Sequence, residues 1–176
     1  MHCHLTLLCL IVAAEGSWGP NKLQRDVPDA FKTIEAFDHP IAVMDANNDS
    51  ILECLSARRV DIDPRKKTAT YIWSLAGDDG KGRKKVPFYF MAGDSPDVTL
   101  YTVESKNSPV ESARTLYTDY KNCAIAEFSH FGEQCTLWVA YDLRDSIPTA
   151  CVEQYSDICG EAVSVTDIKA CQDAYD

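Results

Sequence analysis

The chain has 176 residues and a formal net charge of −10, with 45% hydrophobic and 25% charged residues, proportions typical of a single globular domain. Its acidity excludes the classes of protein that bind nucleic acids or anionic membranes through patches of lysine and arginine, so we expect neither partner. An acidic surface is compatible with a cationic ligand but does not identify one.

The first apolar run of the chain predicts a secretory signal peptide. It extends from Leu5 to Ala14, which is too short for a membrane span, and the small residues Ala14 and Gly16 suit cleavage after residue 16. We therefore predict a signal peptide over residues 1–16, a mature domain over residues 17–176 and secretion to the extracellular space. The sequon at Asn48 is then a candidate glycosylation site.

Cysteine usage predicts disulfide bonds in the mature domain. An even number of cysteines in a secreted chain is typical of a disulfide framework, although the count alone leaves the pairing open. The cysteines after the signal peptide are Cys54, Cys123, Cys135, Cys151, Cys159 and Cys171. No Cys-x-x-Cys pair occurs, and the mature chain has only the histidines His39 and His130, so we predict no metal site.

A short helix is predicted over residues 28–37, at the start of the mature domain. Asp26 supplies a cap and Pro28 suits a first helical turn, and apolar residues such as Ile34 and Phe37 recur at helical spacing. The proline at position 40 follows soon after and ends the helix.

Short strand-like runs with turn residues between them follow this helix. Tyr71, Trp73 and Leu75 alternate clearly with their neighbours and share one face. Eight strands are predicted, over residues 41–44, 52–62, 67–75, 86–91, 98–103, 113–120, 123–128 and 135–141. A helix over residues 148–158, ended by Gly160, and a short segment over residues 165–174 complete the chain.

This order of elements predicts a mainly β fold. Eight strands with short connections form an antiparallel up-and-down barrel, which removes sheet edges and can enclose one small ligand. A β-sandwich is the structural alternative. The helix after the last strand favours the barrel, because such a helix can pack against the outside of the closed sheet.

Several motifs resemble those of the tick salivary lipocalins, the family that includes the histamine-binding proteins. They are Asp119-Tyr-Lys-Asn-Cys123, Leu137-Trp138, Ile147-Pro-Thr-Ala-Cys151 and the late Cys171. The resemblance is strongest over residues 117–171, and Asp29-Ala-Phe-Lys32 is similar to the family's N-terminal helix. It implies an eight-stranded lipocalin barrel stapled by disulfides. It also implies the pairs Cys54–Cys171 and Cys123–Cys151, which leaves Cys135 and Cys159 for each other.

The resemblance also implies which side chains meet a ligand. The face of the last strand that carries Thr136 and Trp138 points inward in the family. Further aromatic candidates for the barrel interior are Tyr71, Trp73, Phe88, Phe90 and Tyr101. An aromatic cavity suits a flat ring or an organic cation, through stacking and cation–π contacts.

Histamine-binding relatives carry one acid directly after the Asn-Cys pair and another directly before Leu-Trp. Here Ala124 and Thr136 occupy these positions. Asp45 is the first candidate for a replacement acid, because a buried ammonium needs a carboxylate. A less charged pocket would instead suit serotonin-like amines, or a fatty acid or eicosanoid whose carboxylate meets Lys84, Lys85 or Arg114 at the mouth.

The sequence therefore predicts a secreted salivary lipocalin, monomeric and without a cofactor, that sequesters a small host mediator and so helps to evade host defence. A biogenic amine of the histamine or serotonin type ranks first. The alternatives are a scavenger of lipid mediators such as fatty acids or leukotrienes, and an inhibitor whose barrel loops bind a host complement or immune protein. We do not expect an enzyme, because His39 and His130 offer few arrangements for nucleophilic catalysis.

Overall fold

The computed structural model of the chain describes residues 23, 25–47, 53–76, 83–130, 132, 134–162, 164–167 and 171. Two predictions lie outside these residues, namely the signal peptide over residues 1–16 and the glycosylation site at Asn48. Both therefore stay predictions.

Helix α1 spans Ala30–Ala36 and begins two residues later than the sequence predicts. The reason is its cap: the carboxylate of Asp29, rather than that of Asp26, accepts a hydrogen bond of 2.9 Å from the backbone N–H of Lys32. The helix packs against the strands over residues 83–92, 98–103 and 111–118.

Eight strands form one closed sheet. They are β1 (Pro40–Asp45), β2 (Ser56–Asp63), β3 (Thr68–Ala76), β4 (Arg83–Ala92), β5 (Val98–Val103), β6 (Glu111–Thr118), β7 (Cys123–Phe128) and β8 (Gln134–Ala140). Consecutive strands from β2 to β8 pair antiparallel, and β1 pairs with both β8 and β2. The predicted eight-stranded antiparallel barrel is thus confirmed.

The second strand is shorter than predicted. The prediction began it at residue 52 and placed Cys54 within it, whereas the strand begins at Ser56 and Cys54 lies in the preceding turn. The backbone of Cys54 has a φ of 55°, a left-handed conformation that an extended strand does not accommodate.

A second helix covers one side of the barrel. Helix α2 spans Thr149–Cys159 and ends at Gly160, whose φ of 85° suits a residue without a side chain. A two-residue strand, β9 (Ser164–Val165), then pairs with β1. No helix within the described ranges has the length and apolar composition needed to cross a membrane.

Side-chain alternation along the strands produces two separate apolar cores. The inward face carries the aromatic residues and forms the barrel interior. The outward face of β1, β7 and β8 packs against α2 through Ile41, Ile125, Leu137 and Val139, with Tyr155 of the helix fully buried among them. The hydroxyl of Tyr155 donates to the carbonyl oxygen of Cys135 over 3.2 Å.

Three disulfides hold this second core together. They join Cys54 to Cys171, Cys123 to Cys151 and Cys135 to Cys159, which are the pairs that the family resemblance implies. Two of them connect α2 directly to the neighbouring strands β7 and β8, so the helix is attached to the barrel covalently as well as by packing.

The turn between β6 and β7 is organised by Asp119. Its carboxylate accepts hydrogen bonds of 2.7–3.0 Å from the backbone N–H groups of Lys121, Asn122 and Cys123 and from the side-chain amide of Asn122. Partial burial alone would raise the pKa of Asp119, but the hydrogen bonds from these backbone groups outweigh it and lower the pKa below its usual value. The motif that marks the family is therefore a turn that places Cys123 for its disulfide.

We expect the three disulfides to contribute unequally to stability. Cys54–Cys171 closes a loop with a sequence separation of 117 residues and Cys135–Cys159 one of 24. Chain entropy then predicts that replacing both cysteines by serine lowers the free energy of unfolding by about 5 kcal/mol for the long loop and about 3.5 kcal/mol for the short one. Urea unfolding of the two double variants measures this, and a larger loss for the short loop would contradict it.

Asp119→Asn is expected to lower stability in a pH-dependent way. Because the folded pKa lies below the unfolded one, the charged carboxylate stabilises the fold above the ordinary aspartate pKa of about 3.9, and this contribution disappears as the pH falls through the folded value. The loss should therefore be full at pH 7 and small near pH 2, as measured by urea unfolding across this range. The exposed Asp94→Asn is the control and should show no such trend.

Candidate ligand-binding site

A cavity of about 90 Å³ lies inside the barrel, beneath α1. Ala30, Thr33 and Ile34 of the helix form its roof, and inward-facing residues of the strands form its wall. Six of the lining residues are aromatic: Phe37, Tyr71, Trp73, Phe90, Phe128 and Trp138.

The aromatic side of the cavity is a connected cluster. The ring centroid of Trp73 lies 5.2 Å from that of Trp138 and 5.3 Å from that of Phe128. Behind it, Trp73 stacks on Phe88 at 4.0 Å, and Phe88 contacts Tyr101 at 5.8 Å. Phe88 and Tyr101 are fully buried, so this second layer supports the rings that face the cavity.

Alanines among these rings leave the space open. Ala57, Ala113, Ala124 and Ala126 all line the cavity, and Ala124 lies directly opposite Trp138 in the pairing of β7 with β8. Ala124 is also the position at which the histamine-binding relatives carry an acid. Of the two positions at which the expected acid is absent, Ala124 therefore lines the cavity and Thr136 does not.

Few polar groups reach the cavity. Its lining residues with polar side-chain groups are Thr33, Thr99, Thr115, Tyr71 and Trp138, and no charged side chain among the described residues lines it. The Nε1–H group of Trp138 is buried without a hydrogen-bond partner in the part of the chain that the structure describes. The side chain as a whole is only 6% exposed.

The carboxyl end of α1 is fixed to the barrel by polar contacts. The hydroxyl of Tyr71 donates to the carbonyl oxygens of Ile34, at 2.9 Å, and of Phe37. The guanidinium of Arg59 donates to the carbonyl oxygens of Ile34 and Glu35. Burial raises the pKa of Tyr71 to about 12, so its hydroxyl keeps its proton at neutral pH.

The amino end of α1 is fixed as well. The backbone N–H of Ala30 donates to the carbonyl oxygen of Pro96 at 2.7 Å, and that of Asp29 donates to the hydroxyl of Tyr120 at 2.8 Å. The ammonium of Lys32 lies 4.5 Å from the centre of the Tyr120 ring. Helix α1 is therefore a lid that both the strands and the Asp119 turn hold over the cavity.

The predicted ligand-binding residues fall into three groups. Tyr71, Trp73 and Trp138 line the cavity, whereas Phe88 and Tyr101 lie in the layer behind it. The remaining two, Asp45 and Thr136, lie outside the lining and contact each other. The Thr136 hydroxyl donates to Asp45 at 3.4 Å, and the backbone N–H of Ala46 also donates to that carboxylate. That any of these residues contacts a ligand stays a prediction.

Two aromatic residues of the lining escape the sequence analysis. Phe37 ends α1, and no sequence pattern shows onto which side of the barrel a short helix folds. Phe128 could have been found, because it follows Ala124 and Ala126 at alternate positions of the same strand.

The cations proposed for the mouth of the pocket do not line it. Lys84 pairs with Glu104 at 3.1 Å and Arg114 with Asp97 at 3.5 Å, and both cations are more than half exposed. Arg114 points outward because its neighbours in β6, Ala113 and Thr115, point inward.

The two histidines have structural contacts. His130 pairs with Glu111, and His39 stacks on the ring of Tyr141 with centroids 4.3 Å apart. Burial and the nearby Arg58 guanidinium lower the pKa of His39. Neither histidine lies against a cysteine or serine nucleophile in the contacts described.

Comparison with known proteins finds one matching family and several solved structures with the same fold. The sequence pattern of the family described as tick histamine binding protein matches residues 21–173. A comparison with curated proteins finds no match.

Three solved structures share the fold at low identity. The serotonin complex of AM182 has 12% identity and a TM-score of 0.54, over 76% of this chain and 87% of that one. Japanin from Rhipicephalus appendiculatus, bound to cholesterol, has 14% identity and a TM-score of 0.54, over 80% and 97%. The siderocalin Ex-FABP has 16% identity and a TM-score of 0.51, over 76% and 90%.

These likenesses support the barrel, and the family pattern covers nearly all of the chain. The closed eight-stranded sheet, the helix after the last strand and the three disulfides agree with it. The chain belongs to the tick histamine-binding protein family of ligand-binding lipocalins.

Proposed function

We propose that this lipocalin is secreted and captures a small host mediator, with one flat ring of the mediator held in the cavity beneath α1. The observation that carries the proposal is an apolar cavity with six aromatic side chains in its lining. Capture of this kind is stoichiometric, so the mediator must be bound tightly at low concentration. Removal of a host mediator at the site of secretion would contribute to evasion of host defence.

The size of the cavity ranks the ligand classes. Pockets for drug-sized ligands measure about 300–1,000 Å³, whereas this one is about 90 Å³. A molecule with a single small ring fits best, and a sterol or a long acyl chain would require α1 or the aromatic wall to move. A lipid mediator is therefore the second candidate.

An amine remains a candidate for a specific reason. The rings of Trp73, Trp138 and Phe128 lie together in the cavity lining, and aromatic rings attract organic cations to their faces. The family description and the serotonin bound to AM182 point to the same class. The weakness of this candidate is the absence of a carboxylate from the described lining.

The packing also favours capture of a small molecule over a purely protein-binding role. If the barrel were an inert scaffold for its loops, we would expect Tyr71, Trp73 and Trp138 to pack without a void. They border a cavity instead. Binding of a host protein by the loops is therefore the less supported alternative.

Titration of the mature protein tests the proposal. We expect one-to-one heat with histamine, which has a single ring, or with serotonin, whose indole is a flat ring system, from a panel that also contains a leukotriene and arachidonate. Ala126→Leu should weaken that binding at least about tenfold, because the larger side chain fills the cavity. Ala150→Leu, at an exposed position of α2, is the matched control. No heat with any member of the panel would rule out capture of these mediators, and a preference for arachidonate would replace the proposal with the lipid alternative.

Opening of α1 should limit how fast a ligand enters. Tyr120→Phe removes the acceptor for the Asp29 N–H without touching the cavity, so we expect the association and dissociation rate constants to rise together by about three- to tenfold. The dissociation constant should stay nearly unchanged, and the amides of α1 should exchange faster with deuterium. Stopped-flow tryptophan fluorescence measures the rates. Tyr89→Phe is the control, and an equal effect there would contradict the assignment of α1 as the lid.

A further inference from the structure

The indole of Trp138 has a hydrogen-bond donor for which the described part of the protein supplies no acceptor. Trp138 lines the cavity and is 94% buried, and its Nε1–H has no partner among the described residues. Buried donors of this kind are nearly always paired in folded proteins. The nitrogen is covered by protein rather than open to the cavity, so an acceptor on the ligand satisfies it when binding turns the indole toward the cavity.

The rest of the described lining is uncharged. Besides the Trp138 indole, its polar groups are the hydroxyls of Thr33, Thr99, Thr115 and Tyr71. The hydroxyls of Thr33 and Tyr71 already donate to carbonyl oxygens at the two ends of α1. The nearest candidate acid by sequence, Asp45, accepts from Thr136 and Ala46 outside this lining. An ammonium buried here would have no carboxylate partner, which is costly.

We propose that the preferred occupant is an uncharged single-ring molecule bearing an oxygen acceptor, which accepts a hydrogen bond from Trp138 Nε1–H. The ring lies among Trp73, Phe128 and Trp138, and the acceptor oxygen faces the indole nitrogen. This inference rests on the proposed capture function and specifies its ligand class. It separates this chain from the amine binders that the family description names.

Three matched probes test the proposal: 4-ethylphenol, which has the ring and an oxygen acceptor, ethylbenzene, which lacks the acceptor, and tyramine, which adds an ammonium to 4-ethylphenol. By titration we expect 4-ethylphenol to bind about tenfold more tightly than ethylbenzene, as one satisfied buried donor predicts. It should also bind at least about tenfold more tightly than tyramine, because the cavity offers the ammonium no counter-charge.

Trp138→Phe separates the hydrogen bond from the ring contacts. The variant keeps an aromatic side chain and loses the donor, so the affinity for 4-ethylphenol should fall to that for ethylbenzene. The affinity for ethylbenzene should change less than about twofold. Equal losses for both probes would mean that only packing was removed, and would overturn the proposal.

The chemical shift of the indole Nε1–H protons, measured by nuclear magnetic resonance, separates a hydrogen bond from packing. A new hydrogen bond moves this resonance downfield. The Nε1–H resonance that disappears in Trp138→Phe is assigned to Trp138. We expect it to shift downfield when 4-ethylphenol binds to the wild-type protein, and not when ethylbenzene binds. Absence of a downfield shift with bound 4-ethylphenol would overturn the hydrogen bond.

The failures of the two proposals are distinguishable. Tighter binding of tyramine than of 4-ethylphenol would overturn the uncharged ligand and leave capture of a small molecule intact. The same holds if none of the three probes binds while a mediator of the earlier panel does. If neither the mediators of the earlier panel nor the three probes bound, the proposed capture function itself would be wrong.

Discussion

The carboxylate of Asp119 accepts hydrogen bonds from three successive backbone N–H groups, and the turn that they define leads in two directions. Cys123 follows the turn and forms a disulfide with Cys151, which attaches α2 to the barrel. In the same turn, the hydroxyl of Tyr120 accepts a hydrogen bond from the backbone N–H of Asp29, just before α1. One charged group therefore positions both the helix that covers the outer core and the helix that roofs the cavity.

The strands beneath these helices serve two cores at once. In β7, Ala124, Ala126 and Phe128 face the cavity, while Cys123 and Ile125 face α2. A change of one residue in register would exchange these two sets. The disulfides to α2 lie on the outward face only, so they fix the register of the last strands without occupying the interior.

The sequence predicts which face of a strand a side chain lies on better than it predicts the position of that side chain along the barrel axis. Alternation groups Tyr71 with Trp73 on one face, and the family resemblance implies that Trp138 faces inward. All three line the cavity. Phe88 and Tyr101 are inward as well but lie in the supporting layer, because alternation carries no information about position along the barrel axis. Asp45 was the first candidate acid, and a bulge in β1 between Ala42 and Met44 precedes it. Its pairing with Thr136 then places it outside the lining.

The boundaries of the elements depended on local chemistry that the pattern did not reveal. Asp29 rather than Asp26 caps α1, and the left-handed backbone of Cys54 shortens the second strand. The eight strands and the helix after them were predictable because long alternating runs and a glycine stop are strong patterns. The site of docking of α1 was not, because a seven-residue amphipathic helix can cover any apolar opening of its size.

Alanine at four inward strand positions means that only a methyl group projects toward the cavity at each of them. Each of these positions can accept a larger or a polar side chain that changes the size, shape or charge of the pocket while the covalent and hydrogen-bonded supports of the barrel lie elsewhere. Ligand preference and stability of the fold are therefore governed by separate sets of residues. A barrel built in this way can acquire a new ligand through single substitutions, and relatives with the same cysteines and the same turn need not bind the same molecule.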